Sequence, residues 1–198
     1  MSNPNKTHFI ALDRVWKYLN KYPTIGLHYK CLNKPYLVGY TDSDWGGDIN
    51  TRKSTSGYIY TFGKGNIISW NSIMQKTVAL SSCKSEYIAL KEAITEAIYL
   101  KNTTIQLADI LKIDIPYRIP TILVDNQSAI KLAENPKFYK RSKHIDITYY
   151  FIRQSIKENK ATLAYINTKE QLADGLIKGL NNAKQLTFIE GLQLKTIQ

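Results

Sequence analysis

A chain of 198 residues is long enough to bury one real core and short enough to be a single domain with an appendage. With 43% apolar and 22% charged residues its composition excludes a disordered chain, and no apolar run reaches the length of a bilayer span. Its 27 lysines and arginines against 16 acids give a net charge of +11, which favours a polyanionic partner, most often nucleic acid.

The first residues, Met1–Phe9, carry no apolar signal region, so an intracellular, reducing setting is expected. Cys31 and Cys83 have no metal-type spacing and read as free thiols. Asn3 and Pro4 offer an N-cap and a first-turn proline. Phe9, Leu12, Val15, Trp16 and Leu19 then recur at helical spacing until Pro23 and Gly26 stop the helix. Ile25–Tyr29 reads as a short strand. One amphipathic helix makes no core, so this segment is expected to dock on the domain body or on a missing partner.

Tyr36–Thr41 alternates like a strand and ends on Asp42, with Asp44 two residues on and so on the same face if the strand continues. Gly46, Gly47 and the basic pair Arg52 and Lys53 lie in the polar connection that follows. Gly57–Phe62, the turn Gly63–Gly65 and Ile67–Trp70 complete a three-stranded antiparallel meander. From Ser82 to about Leu111, Tyr87, Leu90, Ile94, Ala97, Ile98, Ile105, Ala108 and Leu111 keep the stripe of one long helix, with Glu86 in its first turn. Ile122–Val124 is a β-branched run suited to a buried central strand, and it too ends on a carboxylate, Asp125.

A helix from Asn126 ends at Asn135 and Pro136. Lys137, Lys140, Arg141 and Lys143 then interleave with Phe138 and Tyr139, a pattern that suits a phosphate-lined surface as well as a solvated loop. Another amphipathic helix carries Ile145, Tyr149, Ile152 and Ile156, and Thr162–Ile166 is the last strand. Thr168 and Gln171 have capping-box spacing, opening a helix with Leu172, Leu176 and Leu180 on one side and Asp174 near its start. The tail beyond Asn181 is weakly helical.

This order predicts an α/β fold with a mixed sheet flanked by helices, in which ligands gather at strand ends and helix starts. Asp42 and Asp125 end strands; Glu86 and Asp174 begin helices. Brought into one crevice, four carboxylates with few neutral ligands suit two Mg²⁺ ions, with Mn²⁺ as a substitute, and phosphoryl chemistry. Taken singly, each has a blander role as a loop cap or a helix-start acid.

Several blocks occur in a fixed order. They are Tyr40-Thr41-Asp42-Ser43-Asp44-Trp45, Arg52-Lys53-Ser54-Thr55-Ser56-Gly57-Tyr58, Ser69-Trp70, Ser85-Glu86-Tyr87, Asp125-Asn126-Gln127-Ser128-Ala129-Ile130, Lys143-His144-Ile145-Asp146-Ile147 and Gln171-Leu172-Ala173-Asp174. Together they resemble the ribonuclease H domain of copia-type LTR retrotransposon Pol polyproteins. The resemblance implies a ribonuclease H-like fold with a five-stranded mixed sheet, metal binding and catalysis by Asp42, Glu86, Asp125 and Asp174, and two Mg²⁺ ions as cofactors. Asp44 stands behind Asp42 as the lesser candidate of its motif.

The implied reaction is hydrolysis of the RNA strand of an RNA–DNA hybrid. Arg52, Lys53, Lys140, Arg141, Lys143 and His144 are the expected nucleic-acid contacts, although His144 reads equally as a structural residue at a helix start. Residues 1–30 resemble the segment that joins reverse transcriptase to this domain, 31–180 the domain itself, and 181–198 are a tail. An upstream reverse transcriptase portion is the expected partner, with no membrane involved. The expected setting is the cytoplasm, in a virus-like particle, or the nucleus. Lys84 and Ser85 stand where such domains have a further acid, and Asn167–Glu170 lacks the histidine that cellular ribonucleases H carry there. The alternative function is a catalytically silent module that binds hybrid or duplex, or docks on a polymerase.

Overall fold

The computed structural model describes residues 4–32, 36–63, 65–115, 118–134 and 143–196, with side chains of the last stretch from Ile147 onward. In chain order the elements are α1 (Lys6–Lys21), β1 (Ile25–Gly26), β2 (Leu37–Ser43), β3 (Thr55–Phe62), β4 (Asn66–Met74) and α2 (Ser82–Leu111). There follow β5 (Thr121–Val124), α3 (Gln127–Glu134), α4 (Lys143–Lys157), β6 (Thr162–Tyr165), α5 (Asp174–Ile177), α6 (Asn182–Gly191) and β7 (Lys195–Thr196). The strands run in the order β4-β3-β2-β5-β6, with β2, β3 and β4 antiparallel and β5 and β6 parallel to β2. This is the five-stranded mixed sheet that the strand pattern and the resemblance implied.

Alternation along the strands decides which face meets which helix. Tyr60, Tyr87, Leu90, Ile94, Ile122, Val124 and Ile152 are completely or almost completely buried where α2 covers the sheet and α4 packs on α2. Burying side chains of this size contributes about 1.5–3 kcal/mol each relative to leaving them in water. The phenol of Tyr60 reaches across the core and donates to the Ala93 carbonyl of α2 at 2.6 Å. The rings of Tyr87 and Tyr149 stack at 4.1 Å and join α2 to α4. Among the described residues no helix is long and apolar enough to cross a membrane.

Several local expectations change. The α1 cap is Asn5 rather than Asn3: its side chain accepts from the Thr7 and His8 amides at 3.1 and 3.3 Å, while His8 Nδ1 accepts from the Asn5 amide at 3.0 Å. This reciprocal box outcompetes a proline-led start. The strand expected over Ile25–Tyr29 shortens to Ile25–Gly26, which among the described residues pairs with the two-residue β7, Lys195–Thr196. Asn181 caps α6 through the Lys184 amide, so the weak tail pattern is a formed helix that buries Ile189.

The capping box read from Thr168 and Gln171 does not form. Gln171 donates instead to the Thr41 and Leu123 carbonyls, and the Thr168 hydroxyl donates to Asp125. With both side chains engaged elsewhere, Thr168–Glu170 is a 3₁₀ turn and the helix waits until Asp174. The apolar stripe of α1 is not packed on the body. Leu12, Trp16 and Leu19 stay 46, 58 and 52% exposed.

A Cβ on Gly39 would come within 2.4 Å of the buried Tyr60 ring. Gly39→Ala is therefore expected to destabilise the protein by about 1–3 kcal/mol in equilibrium urea unfolding. An unchanged midpoint would mean that the Tyr60 ring can move aside freely.

Candidate active site

Asp42 is the sixth residue of β2 and pairs with Gly57 across the β2–β3 ladder. The parallel pairing of β2 with β5 runs from Val38–Thr121 to Tyr40–Leu123. Asp42 and Asp125 therefore sit equivalently, each two residues beyond the last paired position. Glu86 arrives from the first turns of α2, which Gln75 seats by donating from Nε2 to the Ser85 carbonyl and the Ser56 hydroxyl, both at 2.9 Å. The result is that Asp42, Glu86 and Asp125 bring carboxylate oxygens within 4.8 Å of one another.

Asp174 stands beside this trio. A Cβ at position 57 would lie 2.9 Å from Ile177 Cγ2 and 3.1 Å from Leu176 Cβ, so a glycine opposite Asp42 is what lets α5 rest against β3. The charge of Asp174 acts on Asp42, and its carboxylate is ion-paired to Lys178 at i+4. Ser72 Oγ donates to the Leu176 carbonyl at 2.6 Å and holds the far side of the turn.

Each carboxylate has its own support. The Ser43 amide donates to Asp42 Oδ1 at 2.8 Å, and the Thr168 hydroxyl donates to Asp125 Oδ2 at 2.8 Å. Glu86 Oε2 is buried with no hydrogen-bond partner. Burial, then the charge of Asp125, pushes the Asp42 carboxyl up to about 7. Burial, then the charges of Asp42 and Asp125, pushes Glu86 up to about 9. Without other cations the pair therefore retains a proton near neutrality. Burial and the Glu86 charge also raise the neighbouring Cys83 thiol.

The remaining candidates are placed differently. Asp44 hooks back to the Thr55 amide and closes the turn after β2, so it does not join the trio. Arg52 is exposed at a left-handed position, φ 55°, with its guanidinium by Gly46, and Lys53 is half-buried in the same connection, where its charge helps lower Asp48. Lys140 and Arg141 lie outside the described residues, as do the side chains of Lys143 and His144 at the start of α4. Sequence reasoning missed Thr168, Gln75 and Lys178. For Lys178 the i+4 spacing from Asp174 was the available signal.

A mixed sheet in this order, with acids converging where β2 and β5 end, defines a ribonuclease H fold. LC11-RNase H1, solved in complex with an RNA/DNA hybrid, is similar with a TM-score of 0.51 at 16% identity, covering 71% of this chain and 93% of that one. The chain's homologues are retrovirus-related Pol polyproteins from plant transposons. It is 40% identical over 182 residues to that of transposon TNT 1-94 from Nicotiana tabacum, which covers 90% of the chain and 13% of the relative. It is 36% identical over 188 residues to that of transposon RE1 from Arabidopsis thaliana, which covers 95% and 12%. The chain thus spans about an eighth of the length of these relatives. No protein-family model matches it.

The raised carboxyls fix the sign of a pH dependence. Above the unfolded carboxyl range near pH 4, the folded protein holds more protons than the unfolded chain, so stability falls as pH rises through the folded values. In EDTA the unfolding free energy should drop by something on the order of 2 kcal/mol between about pH 5 and about pH 8, and Glu86→Gln should flatten that slope. A wild-type stability that rises over this interval would mean that the acids are not held together.

Proposed function

We propose that the chain is a ribonuclease H that hydrolyses the RNA strand of an RNA–DNA hybrid with the help of two divalent ions. The observation that carries this reading is the approach of Asp42, Glu86 and Asp125 to within 4.8 Å on a strongly basic protein. Buried like charges at that separation are costly unless cations join them. The donor set fits hard cations: it is all carboxylate, and the orphaned Glu86 Oε2 is an acceptor in want of a partner. Asp42, Glu86, Asp125 and Asp174 would hold Mg²⁺ or Mn²⁺. Such ions supply an activated water and neutralise charge on the phosphate being cut.

The chain's own residues set the geometry. The Ser43 amide fixes Asp42, Thr168 orients Asp125, and Gln75 fixes the start of the helix that delivers Glu86. Beside them runs a groove of about 560 Å³ between the end of β4, α2 and α4, lined by Lys76, Lys84, Lys91, Thr77 and Thr148. Lysines and hydroxyls in a groove that borders the acid-bearing start of α2 suit the second strand of a duplex whose first strand lies over the acids. Selection of RNA would come from its 2′-hydroxyls and the shape of the minor groove, without base readout. We assign the exposed face of Leu12, Trp16 and Leu19 on α1 to an upstream reverse transcriptase portion of a polyprotein.

The test is cleavage of a labelled RNA–DNA hybrid with Mg²⁺ or Mn²⁺ against an EDTA control. Only the RNA strand should be cut, leaving 3′-hydroxyl and 5′-phosphate ends. Asp42→Asn should abolish cleavage, be more stable in EDTA by about 1 kcal/mol and so melt higher there, and gain little from added Mg²⁺. Tight hybrid binding without cleavage by the wild type would instead make the chain a silent binding module.

Replacing Lys76 and Lys84 by Ala should weaken hybrid binding at all sequences and lower the slope of log affinity against log salt by about 2. An unchanged slope would place the second strand elsewhere.

A further inference from the structure

Lys178 belongs to no strand end and to no motif that carries the acids, yet it stands with them. It follows the single turn of α5 as its C-cap, with extended backbone at φ −151° and ψ 158°, and Gly179 comes next. Its ammonium is paired with Asp174, and the charges of Asp42 and Asp125 act on it as well. Among the described residues, Asp42, Glu86 and Asp125 have no ion pair of their own. The Lys178 side chain is 48% exposed on a flexible four-carbon stem, whereas the Asp174 side chain is only 21% exposed. One end of this pair can move and the other is held.

We propose that Lys178 is a tethered cation that competes with divalent metal for Asp174 and yields that carboxylate when metal and a phosphodiester arrive together. The inference rests on reading the acids as a divalent-metal site. An ammonium and a divalent ion on one carboxylate repel each other strongly at such short range. Metal engagement at Asp174 therefore requires Lys178 to swing away, and its stem allows that. The displaced ammonium needs another anion, and a substrate phosphate over the trio is one within its reach. Metal affinity and substrate affinity are then coupled through Lys178, and such coupling acts equally in both directions. This makes Lys178 a positioning residue, acting through Asp174 before substrate is present.

The experiment is a Mg²⁺ titration of the melting temperature for the wild type, Lys178→Met and Lys178→Arg, starting from EDTA and without nucleic acid. Lys178→Met is expected to melt lower in EDTA and to half-saturate with Mg²⁺ at a concentration lower by about five-fold or more. Lys178→Arg should stay close to the wild type in both respects. A merely structural role would lower the melting temperature without moving the half-saturation point, so equal Mg²⁺ dependence in wild type and Lys178→Met overturns the proposal while leaving the metal reading intact. No Mg²⁺ response in the wild type overturns both. Repeating the titration with a DNA duplex present supplies the second arm: the duplex should tighten Mg²⁺ binding to the wild type and do so much less for Lys178→Met. Equal tightening in the two proteins would overturn the coupling.

Discussion

Negative charges held within a few ångströms of one another, largely out of water, are the constraint on which the architecture turns. Strand pairing alone would not hold them, since β2 and β5 stop pairing at Tyr40 and Leu123, before either aspartate. Beyond that point repulsion between Asp42 and Asp125 would splay the strands. Gln171 prevents it by donating from Nε2 to both the Thr41 and the Leu123 carbonyls, at 3.0 and 3.4 Å. The residue before Asp42 is thereby tied to the strand that carries Asp125, by a neutral side chain 5% exposed. A buried amide serves here where a buried lysine would neutralise the acids and remove their capacity for cations.

The core performs the same service at longer range. Tyr60 fixes the distance between β3 and α2, and Gln75 fixes the phase of the α2 start, so Glu86 enters at one height only. Gly39 and Gly57 mark the two faces of the central strands. The first admits the Tyr60 ring on the α2 side, and the second admits α5 on the other. The acids thus meet where two layers end, each delivered by an element that is locked against the sheet. Their mutual repulsion is offset by packing contributed elsewhere in the molecule.

The features legible in the sequence were those set by local periodicity. Strand alternation and the helical stripe of α2 placed both strand-end aspartates and Glu86, because a period of two or 3.6 survives tertiary packing. The resemblance ranked Asp42 above Asp44, and the structure supplies the physical reason: Asp44 accepts from the Thr55 amide opposite it, before Gly46 at φ 63° turns the chain. Thr168 and Gln171 were misread for a related reason. Capping-box spacing describes residues that can cap, but here stronger partners, Asp125 and the carbonyls of β2 and β5, reach them first. The exposed stripe of α1 shows the converse, since periodicity announces an apolar face without saying what covers it.

A polyanion approaching this site meets two fields of opposite sign. The net charge of +11 acts over about a Debye length of 8–10 Å and favours polyanions over neutral partners. Within a few ångströms the acids dominate and would repel a phosphate. The proton that the Asp42–Glu86 pair retains near neutrality blunts that repulsion, and Lys178 adds a positive charge beside Asp174. On the proposed reading, long-range attraction needs no base sequence, whereas the last few ångströms would admit only a phosphate accompanied by cations. That reading divides capture and discrimination by distance, with the net positive charge serving the first and the carboxylate trio the second.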